Sequence, residues 1–65
     1  MTTTANFTSE VFAYIEQKYD KGLLRKVKQK QNNDVVDRLL ADSLKKEYDV
    51  SKTANKIIAM LRLNP

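Results

Sequence analysis

The chain has no cysteine, no histidine and no tryptophan, and only one glycine and one proline. Without cysteine there are no disulfides, and without histidine as well the usual zinc-ligand sets cannot be assembled. The same two absences remove the side chains most often used as base and nucleophile near neutral pH, so no catalytic residue is assigned and the expectation is a protein that is not an enzyme. A glycine-rich phosphate loop cannot be built from Gly22 alone, which excludes nucleotide binding by that device. The longest uninterrupted apolar run is Ile57 to Leu61, five residues, against the roughly 20 a membrane-spanning helix needs. Met1 to Asn6 carries no charge and leads into no apolar signal region, so no membrane partner and a cytoplasmic location are expected.

What is present is 65 residues, 42% of them hydrophobic and 31% charged, a balance that suits one small folded domain rather than a disordered tail. Chains of this size bury only about 60% of the surface their unfolded state exposes. Self-association is the remaining support, and a homodimer is expected.

Few backbone breakers and apolar residues recurring at three and four positions predict an all-α fold, a compact bundle of three to four short helices. Residues 1–7 read as a flexible N-terminal segment and 8–65 as a single helical domain. The first helix is expected over about 9–20, with Thr8 as N-cap, Phe7 stapled onto Phe12, an apolar face of Val11, Phe12, Ile15 and Tyr19, and Gly22 taking the left-handed conformation that closes it. Leu23, Leu24 and Val27 give a weaker second segment, which either forms its own helix or continues the first. Asn32, Asn33 and Asp34 punctuate the start of the strongest helix, with Val35, Val36, Leu39, Leu40, Leu44 and Tyr48 at helical spacing. Asp49 interrupts, Ser51 offers a cap, and Ala54, Ile57, Ile58 and Leu61 line a last helix. Asp34 and Asp37 lie where a helix N-terminus favours negative charge, which accounts for them without metal; no metal or cofactor is assigned. Tyr14, Tyr19 and Tyr48 have the aromatic faces that exposed bases stack on, but their helical spacing favours the edges of a core.

Charge is distributed unevenly. By segment it runs −2 over 1–17, +5 over 18–30, −2 over 31–50 and +3 over 51–65. Six of the twelve cations, Lys18, Lys21, Arg25, Lys26, Lys28 and Lys30, fall within thirteen residues and are opposed only by Asp20. A solvated helix face accounts for such a run; so does a surface that meets an anionic partner. In the second reading Lys21, Arg25, Lys26, Lys28 and Lys30 contact phosphates or an acidic protein surface, and binding weakens steeply with salt.

From Leu44 to Ile58 the sequence Leu-Lys-Lys-Glu-Tyr-Asp-Val-Ser-Lys-Thr-Ala-Asn-Lys-Ile-Ile resembles the helix-turn-helix of bacterial and phage transcriptional regulators. That family has a support helix, a turn, and a recognition helix that enters the major groove. Leu44, Tyr48, Val50 and Ile58 stand where it keeps apolar packing residues. Lys45, Asp49 and Asn55 depart from it, in places usually held by a small residue, the turn glycine and an apolar residue. Carried over by position, the resemblance implies that Ser51, Lys52, Thr53, Asn55 and Lys56 face DNA, with Ser51 and Thr53 on phosphates and Asn55 within reach of a base edge. The expected function is therefore a small basic regulator that binds double-stranded DNA, with DNA preferred to RNA, through this C-terminal half and the 18–30 segment. The alternative is a non-catalytic helical interaction module, an inhibitor or adaptor, whose basic segment meets an acidic partner.

Overall fold

Residues 7, 11 and 15 stack one above another on a helix, and Phe7, Val11 and Ile15 are all buried. They belong to α1, Thr4–Lys18, in a computed structural model that describes residues 4–63. Three helices follow: α2, Lys21–Val27; α3, Asn33–Lys45; and α4, Val50–Met60. A 3-10 turn, Lys30–Asn32, leads into α3. The described residues contain no strand, so the all-α expectation holds, with four helices. None of these helices is long and apolar enough to cross a membrane.

The core forms around α1, which packs against each of the other three helices. Leu23 and Val27 from α2, Val36 and Leu40 from α3, and Ala54, Ile57 and Ile58 from α4 close on its stripe. Each large side chain so buried contributes on the order of 1.5–3 kcal/mol relative to exposure. With extents of 30 × 23 × 17 Å, the domain has room for one such core.

The chain departs from expectation at its helix ends. Helix α1 begins at Thr4, inside the segment assigned to a flexible N-terminus, and Thr8 lies within it instead of capping it. Phe7 is the reason: buried to 5% exposure, it is a core residue and carries the preceding turn with it. Residues 1–3 lie outside the described residues. Helix α1 also ends earlier than expected, at Lys18, and a separate α2 follows, so residues 9–31 do not form one helix. Gly22 does not close α1; it lies in the first turn of α2, and no glycine has a positive φ. The punctuating residue is Asp20, whose carboxylate accepts the Leu23 N–H at 2.6 Å as the N-cap of α2. A Cβ at position 22 would stand 3.3 Å from that carboxylate, so a larger residue would crowd the cap.

The α3–α4 turn is also built differently from its sequence reading. Glu47 takes the left-handed conformation, φ 59°, while Asp49 is extended, with φ −76° and ψ 171°. The Glu47 N–H donates to the Leu44 carbonyl at 3.2 Å and the Tyr48 N–H to the Ser43 carbonyl at 2.9 Å. This is a Schellman closure, which satisfies two carbonyls that α3 would otherwise leave open. Helix α4 ends the same way: Arg62 has φ 56°, its N–H bonds Ala59 at 3.1 Å, and the Leu63 N–H bonds Ile58 at 3.0 Å. Asp49 is then free to cap α4, accepting the Lys52 N–H at 2.7 Å, and the Ser51 hydroxyl donates to the same carboxylate oxygen at 3.0 Å.

Candidate nucleic-acid interface

The ten candidate residues divide between two places. Lys21 and Arg25 of α2 and Lys28 at its C-cap, at i, i+4 and i+7, line an open groove of about 470 Å³ with Glu16, Leu24 and Gln29. Leu24 is half-buried among them, and the Lys28 ammonium lies 5.3 Å from the Phe12 ring centroid. Lys26 and Lys30 are exposed but do not line this groove. The Lys26 carbonyl instead accepts the Asn32 side-chain amide at 2.8 Å, a bond that ties the end of α2 to the start of α3. It also uses Asn32's side chain, which makes no cap bond to α3.

The second place is α4 and the turn before it. The helix buries Thr53, Ala54, Ile57 and Ile58, which turns Lys52, Asn55 and Ala59 outward, with Lys56 half-buried beside them. No acidic residue occurs between Val50 and Met60, so the charge on the outward face of α4 is all positive. Lys46, Lys52 and Lys56 bring their ammonium groups to 5.9, 4.1 and 5.4 Å from the Tyr48 ring centroid. The π-face attracts each cation while the three repel one another, so the cluster presents concentrated positive charge. Asp42 offsets part of it, pairing with Lys46 at 3.2 Å and holding that ammonium's pKa above the ordinary lysine value. The Asp49 carboxyl is held below its usual range by the Lys52 N–H and then by the Ser51 hydroxyl. It stays ionised and occupies the positive end of α4 itself.

Thr53 does not belong to this surface. It is fully buried, and its hydroxyl donates to the Asp49 carbonyl at 2.9 Å, so the phosphate contact expected of it is replaced by a structural bond. Ser51 is half-buried with its proton directed to Asp49. Asn55 is exposed, and its Oδ1 accepts the Tyr19 hydroxyl at 2.7 Å; the Nδ2 donor is the part of the amide left for a ligand. This bond fastens the α1–α2 junction to the outer face of α4. Sequence reasoning missed Lys46 and Tyr48 as members of the cluster. The signal was present in the spacing of Tyr48, Lys52 and Lys56, each four residues after the last, which aligns them on one side of a helix and its lead-in.

Comparison of the chain with protein-family models, curated proteins and solved structures finds no match.

Proposed function

We propose that the protein is a non-catalytic cytoplasmic regulator that binds double-stranded DNA, with the outward face of α4 toward the major groove and the α2 cations on the backbone. The observation that carries this reading is the acid-free outer face of α4, with Lys46, Lys52 and Lys56 gathered on Tyr48. The helix-turn-helix resemblance of residues 44–58 supports the same face through Lys52, Asn55 and Lys56, though not through the buried Thr53. Lys52 and Lys56 neutralise phosphates, and Asn55 offers its Nδ2 donor to an acceptor on a base edge. A single helix presenting short polar groups suits the wide major groove of DNA better than the deep, narrow one of RNA. As a dimer the protein would read two half-sites about 34 Å apart.

The test is titration of a short duplex at increasing salt. Micromolar affinity that falls steeply with salt is expected. Lys52→Glu with Lys56→Glu should weaken binding at least tenfold and lower the salt slope by about two, with the helical circular-dichroism signal unchanged. Unaltered affinity in that variant refutes the reading.

A second reading is favoured by the α2 groove, where Leu24 lies among Lys21, Arg25 and Lys28. An apolar floor with a rim on which three cations outnumber one acid, Glu16, fits an acidic amphipathic segment of another protein. A defined partner that co-purifies after nuclease treatment, and is lost with Leu24→Asp, would replace the DNA reading with this one.

A further inference from the structure

Val35, 40% exposed, and Met60, 58% exposed, are the two large hydrophobic residues that the described part of the chain leaves in water. Both line the same open groove, about 270 Å³ between α3 and the end of α4, whose other walls are Asp34, Arg38 and Leu39. Each strip of this surface is one helical turn long: Val35 and Leu39 form the apolar strip, and Asp34 and Arg38 form a charged strip beside it. Asp34 and Arg38 are spaced to pair with each other, yet the ion pair among the described residues is Lys46 with Asp42. Both charges are therefore available to a partner. A uniformly acidic or basic partner would meet one attractive and one repulsive charge here. A surface with one charge of each sign beside an apolar strip complements itself under a two-fold rotation.

We propose that this groove is a homodimer interface in which α3 of one copy packs antiparallel to α3 of the other. A two-fold axis crossing α3 between residues 36 and 37 brings Asp34 of each copy within one residue's rise, about 1.5 Å, of the level of Arg38 in its mate. The same operation brings Val35 equally close to the level of the mate's Leu39. Two reciprocal ion pairs then flank two apolar contacts, and the flexible Met60 side chains cover the ends. Asp42, the next acid along this side of α3, is already paired with Lys46 and adds no uncompensated charge. The interface supplies the two-fold partner of the DNA reading, but its argument does not rest on that reading. Because its test contains no DNA, the two fail separately.

The test is sedimentation velocity of the full chain at about 100 μM and below, with circular dichroism confirming the fold of every variant. The wild type is expected to dimerise. Asp34→Arg places two cations opposite each other across the axis and Arg38→Asp places two anions there, so each variant alone should dissociate at least about tenfold more readily. Mixed together, the two variants present opposite charges at both positions and should form a heterodimer. Met60→Lys, which leaves both charges intact, should also weaken the dimer. A wild type that stays monomeric overturns the proposal, as do charge variants that dimerise as tightly as the wild type or a mixture that remains monomeric.

Discussion

Replacing Glu47 with glycine should stabilise this protein although it removes a side chain and adds no contact. Glu47 closes α3 at φ 59°, the left-handed region, where a Cβ crowds the following carbonyl at a cost of about 1–2 kcal/mol. Glycine escapes that strain but loses more freedom on folding, roughly 0.5–1 kcal/mol. The exposed Glu47 side chain is not needed for the closure, whose bonds are main-chain N–H groups donating to Leu44 and Ser43. The net expectation is a gain of about 0.5–1 kcal/mol, read as a rise in Tm of roughly 2–8 °C for a domain of this size. Thermal and urea denaturation followed by circular dichroism measure it. Glu47→Gln separates conformation from charge: it keeps the Cβ, removes the anion beside the α3 C-terminus, and should gain only a few tenths of a kcal/mol. Lys46→Gly, one residue earlier at φ −86°, should lose stability, because no strain is relieved there. If the glycine variant at 47 is no more stable than the glutamine variant, the Schellman closure is not where α3 ends and the account of this turn is wrong.

Ser43, Asp49 and Ile57 each bear on stability in a way that substitution should expose. The Ser43 hydroxyl is fully buried without a hydrogen-bond partner among the described residues, so Ser43→Ala should gain about 1 kcal/mol, seen as a higher urea midpoint at unchanged m-value; a lower midpoint would show that the hydroxyl has a partner. Asp49→Ala should lower the helical signal and Tm while Asp49→Asn keeps most of both, because the cap needs an oxygen acceptor. Since the Asp49 carboxyl titrates below its ordinary value of 3.8 when folded, its stabilisation is complete above that pH and fades as pH falls through the lower folded value; the Tm gap between wild type and Asp49→Ala should therefore hold near neutrality and narrow in acid. Ile57→Ala, at a fully buried position, should cost about 2–5 kcal/mol. That is comparable with the roughly 3–10 kcal/mol available to a chain this small, and a cooperative, wild-type-like melt would contradict the core described here.

The all-α class and most of the core are legible without any structure, because helical periodicity is a local property: one glycine, one proline and apolar residues three and four apart leave little else to form. Val11, Ile15, Val27, Val36, Leu40, Ala54, Ile57 and Ile58 are legible as core on that ground, and each is buried. The uneven distribution of cations was equally legible, since charge needs only counting. Tertiary structure decided the ends of the helices and the membership of the candidate site. Thr8 has the chemistry of an N-cap, but burying Phe7 outweighs it and α1 starts at Thr4. Gly22 has the freedom for a left-handed turn, yet Glu47 and Arg62 take that conformation, where main-chain bonds close the ends of α3 and α4. Thr53, expected on the DNA-facing side, is buried while Asn55 is exposed as expected, since only packing against α1 fixes which side of α4 faces inward. The Tyr19–Asn55 bond joins residues 36 apart in sequence, and the arrival of Lys46 beside Lys52 and Lys56 on Tyr48 depends on how α3 turns into α4. Contacts of that kind depend on the relative placement of whole helices, which local spacing does not encode.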